Sequence, residues 1–209
     1  MAPVSTETLP LAGDETADSA APPLVLASAS PRRRELLLRL GLIPAAIQSA
    51  DIDETPAPRE LPQDYARRMA REKALAVHAA GAFVLAGDTV VACGRRILPK
   101  AEDQATARAC LALLSGRRHR VLSAIALRAP DGSLRERLSE TVVRFKPLSR
   151  GEIDGYIAGG EWDGKAGGYA IQGSAEGLIA WISGSHSGVV GLPLFETRAL
   201  LKAAGFAIA

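Results

Sequence analysis

The sequence predicts an α/β protein built on a mixed, twisted sheet. Apolar runs of strand length alternate with segments of helical periodicity, and at least one pair of strands is joined by a tight Pro-Asp-Gly turn. Alternation alone points to a parallel sheet, and the hairpin adds antiparallel pairing.

Leu24 to Ala27 is apolar throughout and reads as the first strand. Ser30 before Pro31 is an N-cap residue with proline at the first helical position. The helix starting there carries Leu36, Leu37, Leu38 and Leu40 and closes on Gly41. A second helix runs from Pro62 to about Ala80, because Tyr65, Met69, Ala70, Leu75 and Ala76 recur at near-helical spacing with Arg67, Arg68 and Lys73 between them; Gly81 stops it. Phe83 to Ala86 and Val90 to Val91 flank Gly87-Asp88-Thr89, a buried strand interrupted or ended by the polar trio. Asp103 to Leu114 reads as a helix closed by Ser115-Gly116. Val121 to Leu127 and Thr141 to Phe145 read as strands, the first followed by the Pro130-Asp131-Gly132 turn. Ser149 and Glu152 form a capping box for a helix through Ile157. Gly159 to Gly177 is glycine-rich, Leu178 to Ile182 is a strand, and Val190 to Ala204 runs into a final helix.

A chain of 209 residues with 47% hydrophobic and 23% charged residues suits one globular domain and excludes disorder of the whole. Residues 1–22 are poor in aromatic and branched side chains, carry acids without a base, and read as a solvated tail; residues 23–209 form the domain. Lys and Arg number 25 against 23 Asp and Glu, too thin a surplus for stable, sequence-independent binding of nucleic acid. Cys93 and Cys110 have no second pair for a disulfide framework. With no apolar run of membrane-spanning length and no signal-peptide pattern, the expected place is the cytoplasm, away from membranes.

Three features point to chemistry. Ser28-Ala29-Ser30-Pro31-Arg32-Arg33-Arg34 brings hydroxyls, free backbone N–H groups and guanidinium groups to one helix N-terminus, where anions bind. Cations in a first turn oppose the helix dipole unless an anion arrives; the bland alternative is that they reach solvent or pair with Glu35. Asp88 beside Thr89 suits a magnesium ligand or a base that activates water, or merely caps a turn. Asp51-Ile52-Asp53-Glu54 could give the same cation a second carboxylate, or be a solvated acidic loop. Two patterns are decoys. Gly159 to Ala166 has P-loop spacing but ends in Ala166 and follows a capped helix, and Gly184-Ser185-His186-Ser187-Gly188 has His at the centre of a would-be nucleophile elbow. His78 and His119 have no partner at metal-ligand spacing and read as surface or helix-end residues.

In order along residues 24–204, Leu26-Ala27-Ser28-Ala29-Ser30-Pro31-Arg32-Arg33, Asp53-Glu54, Lys73-Ala74, Gly87-Asp88-Thr89-Val90-Val91, Lys100, Leu114-Ser115-Gly116 with His119, and Lys165-Ala166-Gly167-Gly168-Tyr169-Ala170-Ile171-Gln172-Gly173 resemble the Maf family, completed by Gly184-Ser185 and Val189-Val190-Gly191-Leu192-Pro193-Leu194. The resemblance implies an elongated, two-lobed α/β domain with a central cleft, related in fold to inosine triphosphatases, whose members commonly form homodimers. It implies a nucleoside triphosphate pyrophosphatase that cleaves between the α and β phosphates. By the same resemblance Asp88 is the proton acceptor, and Arg32, Thr89 and Gln172 distinguish substrates. Ser28, Ser30, Arg33, Lys73, Lys100 and Lys165 join them in binding the nucleotide, and Glu54 and Asp88 hold a divalent cation: magnesium first, manganese or cobalt as alternatives. Whether Asp88 takes the proton itself or acts through the metal stays open. The Tyr169 to Gly173 block with Lys165 resembles the branch acting on dTTP and UTP; the alternatives are 7-methyl-GTP or broad-range hydrolysis, or a nucleotide-sensing regulator of septum formation.

Overall fold

The computed structural model describes residues 23–208. The tail read above at 1–22, and Ala209, lie outside the described residues. Within them a seven-stranded mixed sheet runs β2-β1-β3-β6-β7-β9, with β4 against part of β3, and a two-stranded sheet joins β5 to β8. The strands are β1 (Leu24–Ala27), β2 (Ala46–Ile47), β3 (Phe83–Cys93), β4 (Arg96–Leu98), β5 (Lys100–Ala101), β6 (Arg118–Arg128), β7 (Leu134–Phe145), β8 (Lys165–Ala166) and β9 (Ile179–Ser183). The helices are α1 (Pro31–Leu38), α2 (Pro62–Ala76), α3 (Gln104–Leu114), α4 (Arg150–Ala158), α5 (His186–Val190) and α6 (Leu194–Ala203). β1 is parallel to β2 and β3, and the remaining pairs are antiparallel, so the predicted mixed α/β architecture holds.

Three apolar cores fix the shape. One face of the central strands packs Val84, Ala86 and Leu122 against Tyr65, Ala66, Met69 and Ala70 of α2. The opposite face packs Leu85, Ile125 and Leu127 against Leu36 and Leu37 of α1 and Leu200 and Leu201 of α6. Farther along the same strands, Val91, Val121, Val143 and Phe145 form a separate core with Leu111 and Leu114 of α3 and Ile153 and Ile157 of α4. The chain therefore has two packing regions strung on the long strands β3, β6 and β7, which are the two expected lobes.

Several boundaries differ from the sequence reading, each for a tertiary reason. β3 is not interrupted at Gly87-Asp88-Thr89, because β6 pairs with it from Val84↔Arg128 to Ala92↔Arg120 and satisfies the backbone through the polar trio. α2 stops at Ala76 rather than near Ala80: Val77 turns extended into the core, and Arg128 donates to the carbonyls of Leu75 and Val77 at 3.3 and 2.6 Å. Ser30 sits at the N-cap of α1 but its side chain caps nothing; its N–H instead donates to Ser28 Oγ at 3.2 Å. α1 ends at Leu38, two residues before the expected Leu40, and Gly41 serves the turn beyond it in the left-handed region. The hairpin strands are longer than predicted, β7 starting at Leu134, since eleven cross-strand pairs to β6 hold residues whose outward face is polar. The last helical stretch is two helices, split at Gly191. The capping box of Ser149 and Glu152 is present as read, closing α4 at its N-terminus.

Candidate active site

The central strand positions the site by a break in its pairing. Along one edge of β3, β1 stops at Ala86 and β4 resumes at Val91, while the other edge is paired to β6 throughout. Of the residues between, Asp88 and Thr89 line a cleft of about 390 Å³ where parallel β1 ends, the kind of crevice in which α/β sheets bind ligands. Both packing regions supply its walls. Ser28, Ser30, Arg32 and Arg33 come from the β1–α1 turn, Glu54 from the loop before α2, and Lys73 from α2. Asp88 and Thr89 come from β3, Lys100 from β5, Lys165 from β8 and Gln172 from the segment after it. Every residue that the family resemblance assigns to the site thus reaches one cavity, whereas Arg34 of the arginine run and Asp51 and Asp53 of the acidic run do not line it.

Alternation along β3 sends Asp88 to the same face as Val84, Ala86 and Val90, toward α2. On α2, Tyr65, Met69 and Lys73 follow each other at four-residue intervals and are all buried, so Lys73 projects from the helix's core face to meet Asp88. Its ammonium donates to Asp88 Oδ1 at 2.7 Å and to Glu54 Oε1 at 2.8 Å, and Lys100 donates to Glu54 Oε2 at 2.8 Å. The result is an alternating chain Asp88–Lys73–Glu54–Lys100 that runs from the buried strand to the rim. Burial works to raise the Glu54 carboxyl, but the bonds from Lys100 and Lys73 outweigh it and hold it at about 2. The Tyr65 hydroxyl donates to the Glu54 carbonyl at 2.7 Å, and Arg68 pairs with Glu60 at 2.7 Å, so the acidic loop is tied to α2. Of the acidic run only Glu54 faces the cleft: Asp53 accepts from the N–H of Thr55 at 2.8 Å, and Asp51 is exposed.

Arg33, rather than pairing with Glu35, donates Nε to the Gly191 carbonyl at 2.9 Å and Nη1 to Ser28 Oγ at 3.0 Å. Burial lowers its pKa, partly offset by Asp88. Lys165 donates to the Asp163 carbonyl at 2.6 Å; burial and then Arg32 push its ammonium downward, so both cations gain from an arriving anion. The glycine-rich stretch is no phosphate loop at a helix N-terminus. It contains the short strand β8 paired with β5, Lys100 opposite Ala166 and Ala101 opposite Lys165, and both lysines line the cleft. Gly167 lies in the left-handed region at φ +70°, and a Cβ there would sit 2.8 Å from Val91.

His119 corrects its sequence reading. It is buried, with Nε2 2.8 Å from the Tyr169 hydroxyl and its ring stacked on Phe145, and burial pushes its pKa down to about 4. Tyr169 lines the cleft, and the next residue's N–H donates to the Tyr156 hydroxyl at 3.0 Å, so two aromatic hydroxyls pin the segment leading to Gln172. His78 is exposed just beyond α2, as read. Sequence reasoning also missed Ser123, buried opposite Thr89 on β6; its only signal was a lone hydroxyl inside the apolar run Val121 to Leu127.

Five cationic side chains and two carboxylates line the cleft, a surplus matched to a polyanion. Glu54 and Asp88 approach one point from two sides, now held by the Lys73 ammonium. Among the described residues no three His, Cys, Asp or Glu side chains group as metal ligands. Two carboxylates fit a hard cation that takes its remaining ligands from water and substrate phosphates. Also among the described residues, no helix is long and apolar enough to cross a membrane.

A family model described as Maf-like protein matches residues 23–204. The chain is 68% identical over 197 residues to the dTTP/UTP pyrophosphatase of Novosphingobium aromaticivorans, covering 93% of this chain and 98% of that one. It is 63% identical over 196 residues to the dTTP/UTP pyrophosphatase of Rhodospirillum rubrum, covering 93% and 92%. Among solved structures, a nucleoside-triphosphatase / dITP/XTP pyrophosphatase from Mycobacterium abscessus aligns over 87% of this chain and 95% of its own, at 17% identity and a TM-score of 0.41.

Proposed function

The chain belongs to the Maf-like protein family, and we propose that it is a nucleoside triphosphate pyrophosphatase that converts dTTP and UTP to the monophosphate and pyrophosphate. The observation that carries this is one buried carboxylate, Asp88, set among five cations in a single cleft. The names of relatives at 63–68% identity over nearly the whole chain support the substrate.

In this reading Arg32, Arg33, Lys100 and Lys165 neutralise the triphosphate, and the free N–H groups at the start of α1 add donors. Asp88 orients a water and takes its proton as the water oxygen bonds to the α-phosphorus; the bond from that phosphorus to the bridging oxygen breaks, and pyrophosphate leaves with its electron pair. No covalent enzyme intermediate is needed. Lys73 holds Asp88 in place through its 2.7 Å bond to Oδ1, and Glu54 shares that ammonium. Glu54 and Asp88 are the residues that would hold a divalent cation, with magnesium the first choice and manganese or cobalt alternatives; when bound it supplies further charge neutralisation at the phosphates. Gln172 lines the cleft with an amide whose donor and acceptor can pair with a uracil-type edge. A cytoplasmic setting fits Cys93 and Cys110, both unpaired thiols.

The test is a panel of dTTP, UTP, CTP, GTP, ATP and 7-methyl-GTP with magnesium, with products resolved by anion exchange. Pyrophosphate together with dTMP or UMP is expected. Survival of every nucleotide, or phosphate released one group at a time, overturns the proposal.

A further inference from the structure

Thr89 and Ser123 are directly opposite across the β3–β6 ladder, so their hydroxyls share a face and meet at 3.0 Å. The direction of that bond is decided by a third group. Ser123 Oγ lies 2.5 Å from the Gly188 carbonyl, which can only accept, so the single Ser123 proton is committed there. Thr89 must then donate to Ser123, because the opposite assignment sets two lone pairs against each other at 3.0 Å. Its other acceptor, the Gly191 carbonyl, is farther away at 3.4 Å and already receives Arg33 Nε at 2.9 Å. The Thr89 oxygen therefore turns only lone pairs toward the cleft, in a cavity where five cations attract phosphate. An ionised phosphate oxygen is itself only an acceptor and is repelled by such a group.

We infer that Ser123 is a positioning residue, which orients the Thr89 hydroxyl to accept a hydrogen bond from a donor hydrogen on the nucleoside of the substrate. The inference rests on the pyrophosphatase reading of this cleft. The donor belongs to the nucleoside rather than to the attacking water because successive strand residues point to opposite faces, and Asp88 with Lys73 occupies the other one. Two hydrogens share the required chemistry: the 3′-hydroxyl of the sugar and the N3–H of a uracil-type base.

The experiment measures kcat and KM for dTTP against 3′-deoxythymidine triphosphate, and for UTP against N3-methyl-UTP, in the wild type, Ser123→Ala, Ser123→Thr, Thr89→Val and the Thr89→Val/Ser123→Ala double variant. The wild type is expected to lose about 5- to 10-fold in kcat/KM on the one analogue that lacks the donor, the worth of one hydrogen bond. Ser123→Ala should raise KM for the parent nucleotide by a similar factor and bring parent and analogue within about twofold of each other. Ser123→Thr, which keeps the hydroxyl, should restore the preference, and in the Thr89→Val background Ser123→Ala should add less than about twofold. Wild-type enzyme that treats both analogues like their parents overturns the inference. So does a uniform loss on all substrates that Ser123→Thr fails to repair, which is the signature of a merely structural serine. A fall in kcat alone, with analogues and parents alike, moves the donor to water and also overturns it. Absence of pyrophosphate from any nucleotide in the wild type is the separate failure of the underlying activity, and this assignment falls with it.

Discussion

Asp88→Asn separates catalysis from stability. The amide keeps the shape of the side chain and an oxygen to accept from Lys73, which now donates to Oδ1 at 2.7 Å. Lys73 is not stranded by the change, because Glu54 remains bonded to it at 2.8 Å and Lys100 continues the chain beyond. The cost to the fold is therefore the difference between a charge-assisted and a neutral hydrogen bond in a buried site, about 1 kcal/mol, well below the roughly 3–5 kcal/mol of removing a buried ion-pair partner outright. The cost to the reaction is the whole of the proton-accepting role, about 10²- to 10⁴-fold in rate, or roughly 3–5.5 kcal/mol of barrier. Pyrophosphate release from dTTP and urea unfolding on the same preparations compare the two. Turnover within tenfold of wild type, or a loss of stability as large as the loss of transition-state stabilisation, refutes the reasoning.

His119 is held neutral by burial with a pKa of about 4, below its ordinary 6.5, so the unfolded chain takes up a proton between those values that the fold refuses. Its contribution of about 3 kcal/mol is complete above pH 6.5 and is lost as pH falls through 4. His119→Gln should flatten that part of the stability profile in urea unfolding; an unchanged slope contradicts the assignment. Gly184→Ala should cost more than about 2 kcal/mol, because at φ +128° a Cβ would meet the Glu140 carbonyl at 2.9 Å and Thr141 Oγ1 at 2.7 Å; calorimetry showing an unchanged Tm speaks against it. A chain lacking residues 1–22 should keep wild-type turnover of dTTP, and a large loss shows that the tail serves the site.

Much of the site was legible because its residues break local rules. Arg32 to Arg34 defy the helix dipole, and Asp88 interrupts an otherwise apolar run that is now seen as an unbroken strand. Lys73 reads with Arg67 and Arg68 as a polar residue between the apolar positions of α2 and enters the site only through the family resemblance, although its four-residue spacing from Tyr65 and Met69 puts it on the buried face. By contrast, β2, β5 and β8 are two-residue strands without a periodic pattern of their own; they exist because neighbours from distant parts of the chain pair with them. Nor could periodicity bury His119, whose environment is made by Phe145 and Tyr169, one from β7 and one from the glycine-rich segment.

The sequence by itself determined the order of the longer strands and helices, most of their apolar faces and the identity of the charged side chains, because periodicity, caps and turn residues act over a few neighbouring positions. The tertiary structure alone decided where β1 stops and β4 resumes along β3, and so which backbone stretch borders the cleft. It also decided that Lys73 lies between two carboxylates and that Ser123 faces Thr89. These are matters of register between strands and of packing between helix and sheet, set by residues far apart in the chain that become neighbours only when the core is buried.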